Sequence, residues 1–142
     1  MQKVRDIMTK NVETCDPTDT IYEVAVKMRE QGVGSIPICE GEKLIGMVTD
    51  RDLVIRDIAL KKANSSPISE IMTDQIYTVK EEDSLERAAE TMASHQVRRV
   101  PVVEGETLVG IVALKDISLT NTMAHEATET LHDISESHGP VN

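Results

Sequence analysis

The sequence predicts an α+β fold assembled from two tandem copies of one small domain. Three observations predict it: an internal repeat without gaps, an amphipathic helical stripe in each copy, and two short apolar runs around a glycine-containing turn after each stripe. From Val4 to Leu53 the chain repeats as Ile68 to Ile117 at a constant offset of 64 residues, with 16 identities in 50 aligned positions. A copy of this length lies near the lower limit at which a chain buries enough surface to fold alone, so the two copies are expected to form one body.

The elements follow in order. Thr20-Ile21-Tyr22-Glu23 has the form of a capping box, and Ile21, Val24, Ala25 and Met28 then fall at helical spacing. Leu85, Ala88, Ala89 and Met92 repeat that stripe behind Ser84. Gly32-Val33-Gly34 reads as a helix C-cap followed by close backbone approach, since it matches no phosphate-binding glycine loop. The runs 34–39 and 44–49, joined through Gly41, predict a β-hairpin. Pro37 cannot donate to a ladder, so its strand is expected at an edge or starting near the proline, and Pro101 repeats the arrangement. A second helix is expected from Asp50 to about Lys62, broken by Asn64-Ser65-Ser66-Pro67. The expected organisation is a first domain at 1–63, a linker at 64–67, a second domain at 68–122, and a C-terminal helix with a frayed end at 123–142. In that tail Met123, Ala127, Leu131 and Ile134 form an apolar stripe, with His125, Glu129 and His132 on another face.

Composition narrows the function classes. Fifteen Lys and Arg against 25 Asp and Glu give a net charge of −10, which repels nucleic-acid backbones and anionic lipid, and there is no Phe or Trp on which bases could stack. The apolar runs are too short to span a bilayer, and the N-terminus lacks the apolar stretch of a secretory signal. Two cysteines are too few for a disulfide framework, so a cytoplasmic location is expected. No Ser sits in a GxSxG turn and no nucleophile–base constellation is legible, which argues against an enzyme.

Ile7-Met8-Thr9, a helix, Ser35-Ile36-Pro37-Ile38 and Gly46-Met47-Val48-Thr49-Asp50-Arg51-Asp52 together resemble a cystathionine-β-synthase (CBS) domain. Ile71-Met72-Thr73 through Gly110-Ile111-Val112-Ala113-Leu114-Lys115-Asp116 resembles a second. Within the family, Ile36-Pro37-Ile38-Cys39, Thr49-Asp50-Arg51-Asp52 and His95-Gln96-Val97-Arg98-Arg99-Val100-Pro101 are similar to small stand-alone CBS-pair proteins of the hypoxic-response type. The resemblance implies two CBS domains packed through their sheets as a pseudo-twofold pair, with two clefts that take adenosyl ligands: AMP, ADP, ATP or S-adenosylmethionine. It implies a regulatory module that commonly forms a homodimer and signals to a target protein. The implied nucleotide-binding residues are Thr9, Ser35, Ile36, Pro37, Thr49, Arg51 and Asp52 with Thr73, His95, Arg98, Arg99, Val100, Pro101, Lys115 and Asp116. Adenine would meet the first motif and the Pro-containing strand, and the Thr and Asp at the end of the last strand would hold the ribose.

The chemistry of these residues supports that reading and leaves alternatives. One carboxylate can accept from both hydroxyls of a ribose, at roughly 1.5 to 3 kcal/mol per charged hydrogen bond. Alternatively, Asp52 and Asp116 complement the dipole of the helix they begin, for about 0.3 to 1 kcal/mol. Thr49 or Asp50 could cap the first of these helices and so leave Asp52 spare; with Ala113 and Leu114 in their places, Asp116 could itself be the cap. The second copy adds cations, His95, Arg98, Arg99 and Lys115 standing where the first has Gln31, Gly34, Ser35 and Arg51. The second site is thus expected to favour a polyphosphate and the first a ribose, unless Arg98 and Arg99 pair with surface carboxylates. The rival class is a metal- or redox-linked interaction protein using Cys15, Cys39 and His95. Against it, the repeat equivalents of the cysteines are Val79 and Val103, which marks these positions as apolar.

Overall fold

A computed structural model describes residues 2–120; the expected tail helix and the end of the second domain lie outside these residues. The elements are helix α1 (Val4–Ile7), helix α2 (Ile21–Gln31), strands β1 (Ser35–Glu40) and β2 (Lys43–Thr49), and a short helix α3 (Asp50–Asp52). A π turn (Leu53–Ile58) and a 3-10 turn (Ile68–Glu70) follow. Then come β3 (Val79–Lys80), α4 (Leu85–His95), β4 (Arg99–Glu104), β5 (Thr107–Ala113) and α5 (Leu114–Ser118).

The compact units do not follow the repeat as read along the chain. One unit comprises residues 13–76; the other gathers residues 2–12 with residues 77–120. Each copy therefore gives its first motif to the body of the other. In the first unit, Cys15, Ile21, Val24, Met28, Ile36, Ile38 and Val48 share a core with Ile68 and Ile71. In the second, Val4 occupies the place of Ile68, beside Val79, Leu85, Met92, Val100, Val102 and Val112. Backbone bonds repeat the exchange: Ile68 N–H donates to Asp19 O (2.7 Å), and Val4 N–H to Asp83 O (2.9 Å).

Local physics accounts for the elements. Thr20 and Glu23 form the predicted reciprocal box at the start of α2, and Gly32 ends it at φ 65°. Ser84 caps α4, which closes on Gln96 in the same left-handed region at φ 56°. The hairpins β1–β2 and β4–β5 are antiparallel and share one register, each with a bulge at the same repeat position. On its outer flank β1 has, among the described residues, an isolated parallel bridge, Cys15 to Ile38, whereas β4 pairs there with β3 from Val102 onward. Pro101 thus sits one residue before that pairing begins, where no donor is required. The helix expected from Asp50 departs from α geometry after Asp52. Ala59 N–H donates to Val54 O (2.9 Å) and Lys62 N–H to Asp57 O (3.0 Å), both five residues back.

Candidate functional site

In the first unit the hairpin register sets Ser35 opposite Thr49, and Asp50 N–H donates to Gly34 O (2.9 Å). Asp52 then turns back: Thr49 N–H donates to Asp52 Oδ2 (2.9 Å), and Asp52 N–H donates to Thr49 Oγ1 (3.1 Å). The expectation that Asp52 is spare from capping is therefore corrected. It is the third helical residue of a capping box, because its side chain falls within reach of the Thr49 N–H left orphaned by the helix start. The cap uses one carboxylate oxygen. The other lies 3.8 Å from Arg56 Nε, and a carboxylate retains acceptor capacity beyond one bond.

Thr73 joins this group through backbone pairing: Thr73 N–H donates to Met47 O (2.8 Å) and Met47 N–H to Thr73 O (2.9 Å). Gly46 permits the approach, since a Cβ there would lie 2.7 Å from Met72 Sδ and 3.0 Å from Thr73 O. Arg56 Nη1 donates to Ile71 O (3.3 Å) and Met72 O (3.4 Å), tying the π turn to the same motif. Ile36 and Pro37 are buried, Ser35, Thr49, Asp52 and Thr73 are half-buried, and Arg51 is exposed.

The second unit repeats the frame with different chemistry. Thr9 pairs with Ile111 (2.8 and 3.0 Å), and a Cβ on Gly110 would lie 2.8 Å from both Thr9 O and Met8 Sδ. Arg99 takes the place of Ser35, opposite Ala113, and Leu114 N–H donates to Arg98 O (2.8 Å). Asp116 is not the cap: Ala113 is the N-cap residue and receives no side-chain hydrogen bond. Burial pushes the Arg99 guanidinium below its ordinary pKa, while the Asp116 carboxylate pulls it back up. Among the described residues, Arg98 Nε is buried without a hydrogen-bond partner. Val100 and Pro101 are buried, whereas Thr9, His95 and Lys115 are exposed.

Two features were not legible as site residues. Tyr77 stacks on His95 with ring centroids 3.4 Å apart and planes 8° from parallel. Its rarity was the available signal, as one of only two aromatic residues, standing where the first copy has Glu13. Asp57 is 3% exposed, the one buried charged residue among those described, and its Oδ1 has no hydrogen-bond partner.

Cys15 and Cys39 are buried and free, with Cys39 N–H donating to Cys15 O (2.9 Å). Burial raises both thiol pKa values, Lys27 partly opposing this at Cys15. Among the described residues no group of three or more His, Cys, Asp or Glu is placed to hold a metal ion, and no helix is long and apolar enough to cross a membrane.

The sequence profile of the CBS domain matches residues 4–58 and again 68–119. The chain belongs to the CBS domain family. Across 138 residues it is 46% identical to the uncharacterized protein YlbB of Bacillus subtilis, covering 96% of this chain and 93% of that one. It is 40% identical over 120 residues to hypoxic response protein 1 of Mycobacterium tuberculosis, covering 83% and 84%. The crystal structure of Hypoxic Response Protein I with two coordinated zinc ions superposes with a TM-score of 0.77 at 39% identity, covering 83% of this chain and 98% of that one. The CBS domain pair of MJ0100, in complex with 5-methylthioadenosine and S-adenosylmethionine, matches at TM-score 0.71 and 32% identity, covering 83% and 94%. The CBS domain protein PAE2072 of Pyrobaculum aerophilum, complexed with AMP, matches at 0.78 and 25%, covering 90% and 99%. This tandem CBS fold is thus one in which related pairs bind adenosyl ligands.

Proposed function

We propose that the chain is a non-enzymatic, cytoplasmic regulatory module that binds an adenine nucleotide, works as a homodimer and passes ligand occupancy to a target protein. The observation that carries this reading is the orphaned donor at Arg98. A buried N–H without an acceptor costs about 1 to 3 kcal/mol, and an incoming phosphate oxygen would recover that cost. Arg99, Lys115 and His95 belong to the same unit, so its chemistry suits a phosphate-bearing ligand. Ser35, Thr49, Asp52 and Thr73 are the ribose-directed set of the other unit. The AMP and S-adenosylmethionine bound by PAE2072 and MJ0100 support the ligand class.

Titration calorimetry with AMP, ADP, ATP and S-adenosylmethionine tests it, on the native chain and on Arg98→Ala. Loss of a charged hydrogen bond should weaken a nucleotide about 10- to 100-fold and leave S-adenosylmethionine unaffected. Equal affinity of the variant for every nucleotide would remove the phosphate assignment, and no binding of any adenosyl ligand would end the reading.

The zinc of the hypoxic response structure keeps a metal reading as the rival. Within residues 13–76 the two thiols number fewer than the three or four protein ligands of a zinc site, so this reading needs His95 or another donor beyond them.

A further inference from the structure

The rings of Tyr77 and His95 lie 3.4 Å apart between centroids, with planes 8° from parallel. That spacing is about one carbon–carbon contact distance, roughly 3.5 Å, so the rings eclipse each other with almost no lateral offset. Aromatic quadrupoles disfavour such a sandwich against an offset or edge-on pair, so the two rings hold each other weakly. Neither is withdrawn from solvent: Tyr77 is 47% exposed and His95 is exposed. The chain has two Tyr and no Phe or Trp, and the first copy has Glu13 and Gln31 at the equivalent positions, where they offer no ring.

The pair adjoins the cationic residues of its unit. His95 is the last residue of α4, and the chain turns at Gln96 and soon reaches Arg98 and Arg99. Tyr77 precedes β3, whose parallel register with β4, Val79 to Val102, leads back from Tyr77 toward Val100, next to Arg99. A nucleotide whose phosphate takes the orphaned Arg98 Nε therefore has its base within reach of this end of α4. At 3.4 Å no third ring fits between the two, so a base that stacks on the covered face of Tyr77 must displace His95. His95 is the ring better placed to move, since it ends a helix, whereas Tyr77 is anchored by the buried Val79 that follows it.

We infer that His95 is a shutter over a base-stacking face of Tyr77, and that a bound nucleotide places its base where the imidazole now lies. The inference rests on the nucleotide part of the proposed function and adds to it the residue that yields to the base. Calorimetry with AMP and ATP tests it on the native chain, His95→Ala, His95→Phe and Tyr77→Leu. His95→Ala should bind about 3- to 10-fold more tightly, because no aromatic pair has to be broken first. That is the opposite of the loss expected if His95 only supplied charge to a phosphate, and a structural lesion would weaken binding rather than tighten it. His95→Phe restores a covering ring and should return affinity to near native. Tyr77→Leu should lose about 5- to 10-fold, since one base–aromatic stack is gone. Fluorescence gives a second measurement on an intact Tyr77: the chain has no Trp, so in a Tyr22→Phe variant Tyr77 is the sole emitter, and nucleotide should change its emission. Native or weaker affinity in His95→Ala, native affinity in Tyr77→Leu, or Tyr77 emission unmoved by saturating nucleotide would overturn the shutter and leave the nucleotide reading standing. A native chain that binds no adenosyl ligand would overturn both.

Discussion

Asp52 has two roles open to it, and a graded substitution separates them. Its carboxylate accepts from Thr49 N–H at 2.9 Å, while its own N–H donates to Thr49 Oγ1 at 3.1 Å. Asp52→Asn keeps an oxygen for the first bond and the backbone donor for the second. It forfeits only the charge near the helix start, about 0.3 to 1 kcal/mol. Asp52→Ala removes the acceptor and should cost about 1 kcal/mol in stability. Affinity scales differently. If the carboxylate accepts from both ribose hydroxyls, exchanging two charged hydrogen bonds for two neutral ones loses about 1 kcal/mol each, or roughly 30-fold in Kd. Removing both should exceed 100-fold. The expected order in thermal unfolding is therefore native close to Asn and above Ala, while in calorimetry both variants fall well below native. An Asn variant that binds AMP, ADP, ATP and S-adenosylmethionine with native affinity would show that the carboxylate serves the cap alone.

Gly110→Ala should destabilise by about 2 to 4 kcal/mol in denaturant unfolding, because its Cβ would meet a backbone oxygen at 2.8 Å and break the paired Thr9–Ile111 bonds. Gly105→Ala, with open space around its Cβ but φ +63°, should cost only about 1 to 2 kcal/mol, and equal losses would refute the contact argument. Cys15 and Cys39 have raised folded-state pKa values, so the unfolded chain releases these protons first. Their contribution to stability is full below the ordinary thiol pKa and is lost as pH rises through the raised one; unfolding midpoints should fall above about pH 9, and native thiols should react with a disulfide reagent far more slowly at pH 7 than in denaturant. Fast labelling of the native chain would contradict the burial.

The order of elements was legible because each depends on local chemistry. Helical spacing, the Thr20–Glu23 box and the Gly41 turn act over a few residues, and the repeat supplied a second reading of each. The exchange of first motifs was not legible, since Val4 and Ile68 are interchangeable by hydropathy and nothing nearby in sequence says which core each enters. Gly46 and Gly110 were visible as repeated glycines, but their cause lies in a motif more than 25 residues away in one case and about 100 in the other. The π turn escaped detection for a related reason. A shift from four-residue to five-residue hydrogen bonds leaves no mark on apolar spacing over so short a stretch. At the site, the residue types were legible while their local duties were not, because a capping carboxylate and a ligand-binding one look alike in sequence.

The exchange also changes how the difference between the copies should be understood. Each unit combines a hairpin from one copy with a first motif from the other, so Thr73 stands with Thr49 and Asp52, and Thr9 with Arg99 and Asp116. A ligand held by the first of these sets would touch residues more than twenty positions apart, joined by the π turn. Arg56 spans that gap, lying 3.8 Å from Asp52 Oδ1 at its Nε and donating from Nη1 to the carbonyls of Ile71 and Met72. A ribose that takes Asp52 Oδ1 would compete with Arg56 for the same oxygen. Arg56 lies in sequence between the exposed Ile55 and Ile58, so ligand occupancy and the set of the π turn share one side chain. Such sharing couples the two only if the ligand favours one arrangement of Arg56 over another, and the competition for Asp52 supplies that preference.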